Sequence, residues 1–304
     1  MTDSVSRPII VIGSINTDMV VKTSVLPRPG QTVLGGDFAM AAGGKGANQA
    51  VAAARLGGNV TMVGNLGADG FGDTAVKRLQ SEGVDCSFIS RDTEQASGVA
   101  LISVDSEGEN HIVVAPGANS TLSESHIRKA LASVAEESIL LLQLEVPLSC
   151  VSLAALLAES ANCNVILDPA PAQQLPSELL DGLFLITPNE TEAEILTGIP
   201  IECASDAEAA ANKLLSMGVT NVAVTMGANG VVLANAQGHD HISAPKTTAI
   251  DTTAAGDCFN GALACALSRG DSLKNAATYA CKAASIAVTR HGAQGSMPYR
   301  RELK

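Results

Sequence analysis

Short runs of β-branched and aliphatic residues alternate along this 304-residue chain with Ala-rich segments of helical period. The runs at 9–15, 60–64, 139–144, 165–167, 183–187 and 222–225 are apolar almost throughout, the pattern of strands buried on both faces. Between and after them, segments 47–56, 72–82, 124–135, 149–159, 206–217, 257–268 and 273–289 read as helices. Strands of that kind separated by helices imply an α/β fold: a central, mainly parallel sheet with helices on both faces. A chain of this length can bury one large core, or a core plus a small appendage.

Two segments break the alternation. Residues 17–40 and 97–114 carry strand-like patterns and turn signals, Pro27-Arg28-Pro29-Gly30 and Ser106-Glu107-Gly108-Glu109-Asn110, with no helix. They are expected to form a small second sheet inserted in two pieces, leaving 1–16, 41–96 and 115–304 as the core. Both leave the core near candidate ligand residues, so a lid that excludes water fits better than ordinary surface hairpins.

Composition excludes several functions. A formal net charge of −12 offers no basic field to replace counterions, which argues against nucleic acid as a partner. Any anionic ligand must be held by local dipoles, a metal or single cations. Aromatics are 2% of the chain, which weakens mechanisms that stack flat ligands between rings. The seven cysteines are odd in number, contain no C-x-x-C and sit in apolar surroundings; they read as reduced core residues of a cytoplasmic protein. The start of the chain carries no basic-then-apolar signal, and no apolar run approaches the ~18 residues of a membrane span.

The densest chemical signal is Asp251-Thr252-Thr253-Ala254-Ala255-Gly256-Asp257, followed by an apolar helical run. Small residues at a helix start let backbone N–H groups reach an anion, and the helix dipole favours negative charge there. A carboxylate beside such an anion hole is what phosphoryl transfer to a hydroxyl needs. The plainer alternative is a well-capped helix after a turn. A second cluster, Ala42-Gly43-Gly44-Lys45-Gly46-Ala47-Asn48-Gln49-Ala50, also opens a helix. Gly46 follows Lys45 where a Walker A loop needs Ser or Thr, and the spacing is not G-x-G-x-x-G. Close-approach glycines such as Gly44, with Lys45 and Asn48, suit a polyhydroxyl ligand instead.

Together these two clusters resemble the paired signatures of the ribokinase-like carbohydrate kinase family. Gly13-Ser14-Ile15-Asn16-Thr17-Asp18, Pro116-Gly117-Ala118-Asn119, Thr187-Pro188-Asn189-Glu190-Thr191-Glu192 and Thr225-Met226-Gly227-Ala228-Asn229-Gly230 follow in the family's order, so the resemblance covers nearly the whole chain. The wording of residues 43–50 and 116–119 is most similar to the ribose-phosphorylating branch.

The resemblance implies ATP-dependent transfer of a phosphoryl group to the 5-hydroxyl of D-ribose. Asp257 would be the general base, with the amides of Ala254, Ala255 and Gly256 as the anion hole. Ala254 replaces a frequent family glycine, which is compatible with a negative φ. Asn16, Asp18, Gly44, Lys45, Asn48 and Glu145 would bind sugar hydroxyls; Asp18 and Glu145 follow strands at the carboxyl edge where α/β ligands bind. Asn189 and the loop of Thr225, Gly227, Ala228, Asn229 and Gly230 would meet the nucleotide, with Gly256 at its phosphates and Asn260 as a weaker candidate. Glu192 would assist magnesium through water, although Asn189 and its glutamates also read as a helix cap and first-turn charges. Cys281 stands where the family often has His or Asn near adenine, so no adenine contact is carried over. Asp251 and Ser296, with carbonyls of Thr253, Ala287, Arg290 and Gly292, resemble a monovalent-cation site for potassium or sodium. His239 and His241 read as one face of a surface hairpin rather than a metal site. An exposed lid edge makes a homodimer plausible.

The alternatives are a kinase for deoxyribose, another sugar or a nucleoside, and a non-catalytic sugar sensor. Scarce aromatics disfavour the nucleoside, and retention of Asp257 disfavours the sensor.

Overall fold

Strand β1 (Ile9–Ile12) is followed by three residues in no strand before β2 (Asn16–Lys22) opens the other sheet, so the expected strand 9–15 stops at Ile12. The structure, a computed structural model, describes residues 6–132 and 134–303. Residues 1–5, Ser133 and Lys304 lie outside the described residues, and with them the outermost ends of the expected core and one position of the expected helix 124–135.

Further along run β3 (Phe38–Gly43), α1 (Lys45–Arg55), β4 (Val60–Gly67), α2 (Gly70–Ser81) and β5 (Asp85–Asp92). Next come β6 (Gly98–Val104), β7 (Asn110–Ala115), α3 (Glu124–Leu131), β8 (Ile139–Leu142), α4 (Leu148–Ser160) and β9 (Asn164–Leu167). The last part holds α5 (Ser177–Leu180), β10 (Leu185–Ile186), α6 (Glu190–Thr197), α7 (Ala204–Ser216) and β11 (Val222–Thr225). A hairpin of β12 (Val231–Asn235) and β13 (Gly238–Ile242), then α8 (Ala255–Ser268) and α9 (Leu273–Ala287), complete it.

The large sheet has the order β13-β12-β11-β10-β9-β8-β1-β4-β5. Every pair from β11 to β5 is parallel; only the β12–β13 hairpin brings antiparallel pairing. Because side chains alternate along a strand, each buried strand feeds two cores. Ile9, Val11, Ile139 and Leu141 join one cluster with α1, α8 and α9. Ile10, Ile12, Leu140 and Leu142 join the other with α3, α4 and α7. That is why the strand runs are apolar at every position.

The small sheet has the order β3-β2-β6-β7, with β2 and β6 parallel at its centre and antiparallel partners outside. Its pairing includes Asn16, residues 41–43 and Ala115, beyond the pieces 17–40 and 97–114. Asp18 and Ala100 pair across its two central strands and share one face; Met19 and Leu101, one residue on, share the other.

Local signals explain the remaining shifts. Helix α2 starts at Gly70 rather than 72 because the Asp69 side chain caps it, accepting from the Gly72 amide at 2.8 Å. Helix α6 is real as well as a cap: Asn189 and Glu192 form a capping box, each side chain accepting the other's backbone N–H at 2.9 Å. All seven cysteines are free, but Cys203 is exposed rather than in the core. His239 and His241 lie on the hairpin strand β13, both exposed.

Candidate active site

The turn between β3 and α1 brings the glycine cluster of residues 42–50 against the residues that follow β1. Gly44 sits at φ 88°, and a Cβ there would lie 2.6 Å from the Asn16 amide nitrogen; both facts require glycine. The next residue, Lys45, opens α1, and its backbone N–H donates to the Glu145 carboxylate at 3.1 Å. The Ser14 hydroxyl donates to the same carboxylate oxygen. Glu145 follows β8, and Asp18 lies on β2 with its carboxylate packed on the Gly43 backbone.

Helix α8 enters from the opposite side, and its first turn carries Asp257, buried at 5% exposure. Two side chains of α1 hold that carboxylate: Asn48 donates to one oxygen at 2.8 Å and Gln49 to the other at 3.2 Å. The Gln49 NH₂ also donates to Asp168 at 2.8 Å, and Gln143 orients Gln49 by donating to its carbonyl oxygen at 2.6 Å. The two small-residue clusters, 208 positions apart at Gln49 and Asp257, thus meet at one carboxylate. The Asn48 side-chain oxygen is buried there with no hydrogen-bond partner. A ligand hydroxyl donating to it would remove that cost.

Electrostatics follow from crowding. Burial raises the Asp257 carboxyl, opposed by the Lys45 ammonium and the two amides. Burial raises Asp168 too, again opposed by Lys45 and reinforced by Asp257. Asp18 is pushed up to about 6 by burial and by the charges of Glu145 and Asp257. Burial alone would discharge Lys45, but the carboxylates of Asp257, Asp168 and Glu145 outweigh it and hold the ammonium charged. The result is a cation ringed by acceptors, suited to a polyhydroxyl ligand, with a basic carboxylate at a helix start.

The α8 start differs from expectation in two ways. Ala254 adopts φ 58°, ψ 21°, the left-handed region, instead of a negative φ. The Ala255 amide closes a turn on the Thr252 carbonyl at 3.1 Å, so it does not point at an anion. Among the described residues the amides of Ala254 and Gly256 have no backbone acceptor, so of the three expected anion-hole amides these two are left without one. Asn260 is tied into the fold, accepting from the Thr187 hydroxyl at 2.8 Å and donating to the Gly256 carbonyl at 3.1 Å.

Along the same sheet edge, Asn189 and Thr225 pair in a parallel bridge, bringing the two expected nucleotide segments side by side. The 227–230 loop is fixed by positive φ at Gly227 and Gly230 and by His241, whose Nε2 lies 3.0 Å from the Asn229 carbonyl. Glu192 is half-buried within electrostatic reach of Lys45 and Asp257, and burial raises its carboxyl. Cys281 is buried in the core.

Behind the α8 start, Asp251 accepts from the Thr253 amide at 2.9 Å and the Gly292 amide at 2.8 Å, which joins the two expected cation-binding segments. Burial acts to raise its carboxyl, but the Gly292 and Thr253 hydrogen bonds and nearby His291 hold it below the usual range, so it stays anionic. The Ser296 hydroxyl donates to the Ala293 carbonyl at 2.8 Å, and Ala287 offers its carbonyl to the Arg290 amide.

Asp168, Gln49, Gln143 and Ser14 received no role from sequence. Asp168 carried a usable signal, because Asp168-Pro169 follows the apolar run 165–167 at the edge that holds Glu145.

The family described as pfkB family carbohydrate kinase matches residues 6–300. A ribokinase of Haemophilus influenzae is 44% identical over 296 residues, 97% of each chain. A deoxyribokinase of Salmonella typhi is 36% identical over 291 residues, 95% of each. The solved Arabidopsis thaliana ribokinase complexed with ribose and ATP is 34% identical, superposes with a TM-score of 0.89, and is matched over 98% of this chain and 97% of that one. With a buried carboxylate between two glycine-rich helix starts and a family match over almost its full length, the chain belongs to the pfkB carbohydrate kinases.

Proposed function

We propose that this chain is an ATP-dependent kinase that phosphorylates the 5-hydroxyl of D-ribose, giving D-ribose 5-phosphate and ADP. The observation that carries the reading is Asp257, buried at the start of α8 and held by Asn48 and Gln49 from the other glycine-rich helix. In this reading the sugar lies against Asn16, Asp18, Gly44, Lys45, Asn48 and Glu145. Its 5-hydroxyl points at Asp257, which takes the proton as the oxygen attacks the γ-phosphate of ATP. The amides of Ala254 and Gly256 and the dipole of α8 stabilise charge on the transferred group. The raised carboxyl of Asp257 makes it a stronger base than an exposed aspartate. Asn189, Thr225 and the 227–230 loop hold the nucleotide.

Magnesium fits the donor set here. One half-buried glutamate, Glu192, with substrate phosphates and waters is the arrangement that ion favours over an all-protein cage. When bound it would neutralise phosphate charge. The anionic Asp251, its linked segments and the oxygen atoms of Thr253, Ala287, Arg290, Gly292 and Ser296 suit a monovalent cation such as potassium, whose role would be to order the α8 start. The small sheet acts as a lid: its Asp18 face looks onto the sugar site, so closure would exclude water.

The opposite face of the lid supports a homodimer. Met40, Met19, Leu101 and Val113 form one cross-strand row, with Leu101 and Val113 exposed at 50% and 65%. A second copy of the chain would cover that row. Seven free cysteines support a reducing, cytoplasmic setting.

A coupled ADP-release assay over a pentose panel, with the product's phosphate located by NMR, tests the reading. Ribose should be the preferred acceptor, and Asp257→Asn should lower kcat by ~10²–10⁴-fold. The relative named deoxyribokinase supports 2-deoxyribose as the second reading, and preference for it would replace ribose. No turnover with any sugar would leave a binding protein.

A further inference from the structure

The segment Pro116-Gly117-Ala118-Asn119 has no part in the chemistry above, yet its last residue is one of the most fully bonded side chains in the molecule. Asn119 is 1% exposed and lies just after β7, where the chain returns to the core. Its side-chain oxygen accepts from the Ile15 amide at 2.9 Å. Its NH₂ group donates to the Asn16 side-chain oxygen at 2.8 Å, the Pro116 carbonyl at 3.0 Å and the Ile15 carbonyl at 3.2 Å. Gly98 makes the contact possible: a Cβ there would lie 2.2 Å from the Asn16 side-chain oxygen and 2.3 Å from the Asn119 NH₂. Three of the four points where the chain crosses between the two sheets, at Asn16, Gly98 and Pro116, are therefore gathered around one amide.

An asparagine amide has an acceptor end and a donor end, and a ligand reads which end it meets. With its oxygen held by the Asn119 NH₂ group, the Asn16 amide is oriented so that its own NH₂ group is the end left for a substrate. We propose that Asn119 is a positioning residue for the phosphoryl acceptor: it fixes the Asn16 amide donor-outward and so makes Asn16 a donor to a sugar hydroxyl oxygen. The proposal rests on the reading that Asn16 binds the sugar.

Asn119→Asp separates this role from simple packing, because it keeps the size and the acceptor for the Ile15 amide while removing the NH₂ donors. Asn16 would then turn to donate to the new carboxylate and present its oxygen to the sugar. KM for ribose should rise by about tenfold, the value of one hydrogen bond to a substrate, while KM for ATP is unchanged. In an Asn16→Ala background the same substitution should add nothing to KM, because residues acting through one another are not additive. Asn119→Ser, which keeps a donor and an acceptor, serves as the milder variant should the aspartate fail to fold, and should raise KM for ribose in the parent only.

Each outcome decides something. Unchanged KM for ribose in a folded Asn119→Asp enzyme overturns the proposal. So does an equal rise in the Asn16→Ala background, which would mark Asn119 as structural. If Asn16→Ala itself leaves ribose KM unaltered, the sugar-binding reading of Asn16 has failed, and the positioning role fails with it.

Discussion

Asp18 illustrates how a single residue carries opposite obligations. Burial and the charges of Glu145 and Asp257 hold its carboxyl at about 6, above the usual value of 3.8. A carboxyl raised on folding costs stability wherever it must ionise in the native state. That cost is absent below pH 4, grows between 4 and 6 and is complete above 6, from the folded and unfolded values together. Asp18→Asn should therefore raise Tm at pH 8, with the gain shrinking as pH falls towards 4, in scanning calorimetry. The same substitution removes a charged acceptor and should weaken ribose binding ~10-fold or more by titration calorimetry. A Tm gain that persists unchanged at pH 4 would mean that ionisation is not its origin. Sequence made Asp18 and Asp257 visible because each lies in a wordlike motif. Asp168 stayed hidden, since one aspartate before a proline looks like a turn until the sheet places it beside Lys45 and Asp257.

At the level of elements, the strands and helices of the core were legible because a buried parallel strand is apolar at every position and a helix is not. Strands β5 and β12 are absent from the runs read as strands, and β13 shows in the sequence only as the surface hairpin of His239 and His241. β5 mixes exposed and half-buried residues, and β13 is Gly-His-Asp-His-Ile, mostly exposed. The start of α8 was legible as a motif but not as a conformation. Ala254 takes the left-handed region, which costs an L-residue about 1–2 kcal/mol. Glycine avoids that cost but loses more chain entropy on folding, about 0.4–1 kcal/mol. Ala254→Gly should therefore raise stability by up to about 1 kcal/mol in urea unfolding, with kcat unaltered because the backbone path is already set. A lower midpoint would show that the loop tolerates alanine without strain. The same loop is anchored by Asp251 to Gly292. Asp251→Ala should depress kcat and flatten its dependence on potassium, titrated at constant ionic strength in Tris buffer. A parent enzyme indifferent to every small monovalent cation would remove the cation site and leave the kinase assignment intact.

For the whole molecule, the two-sheet plan was legible from two breaks in an otherwise regular alternation, but the seam between the sheets was not. Sequence placed Asn16, residues 41–43 and Ala115 in the core; pairing carries the small sheet through all of them. Its outer row of Met40, Met19, Leu101 and Val113 is the feature with assembly consequences. Leu101→Glu combined with Val113→Glu should convert a dimer to a monomer in multi-angle light scattering, and a parent that runs as a monomer would end the dimer proposal. The strand order carries a separate consequence. The central pair, β2 and β6, comes from two distant stretches of chain, so neither stretch forms a closed sheet by itself. A chimera that borrows only residues 16–43 from a relative would set a foreign strand against a native one along seven paired positions. Exchange of acceptor preference by grafting should accordingly succeed with both stretches transplanted together and fail with either one alone.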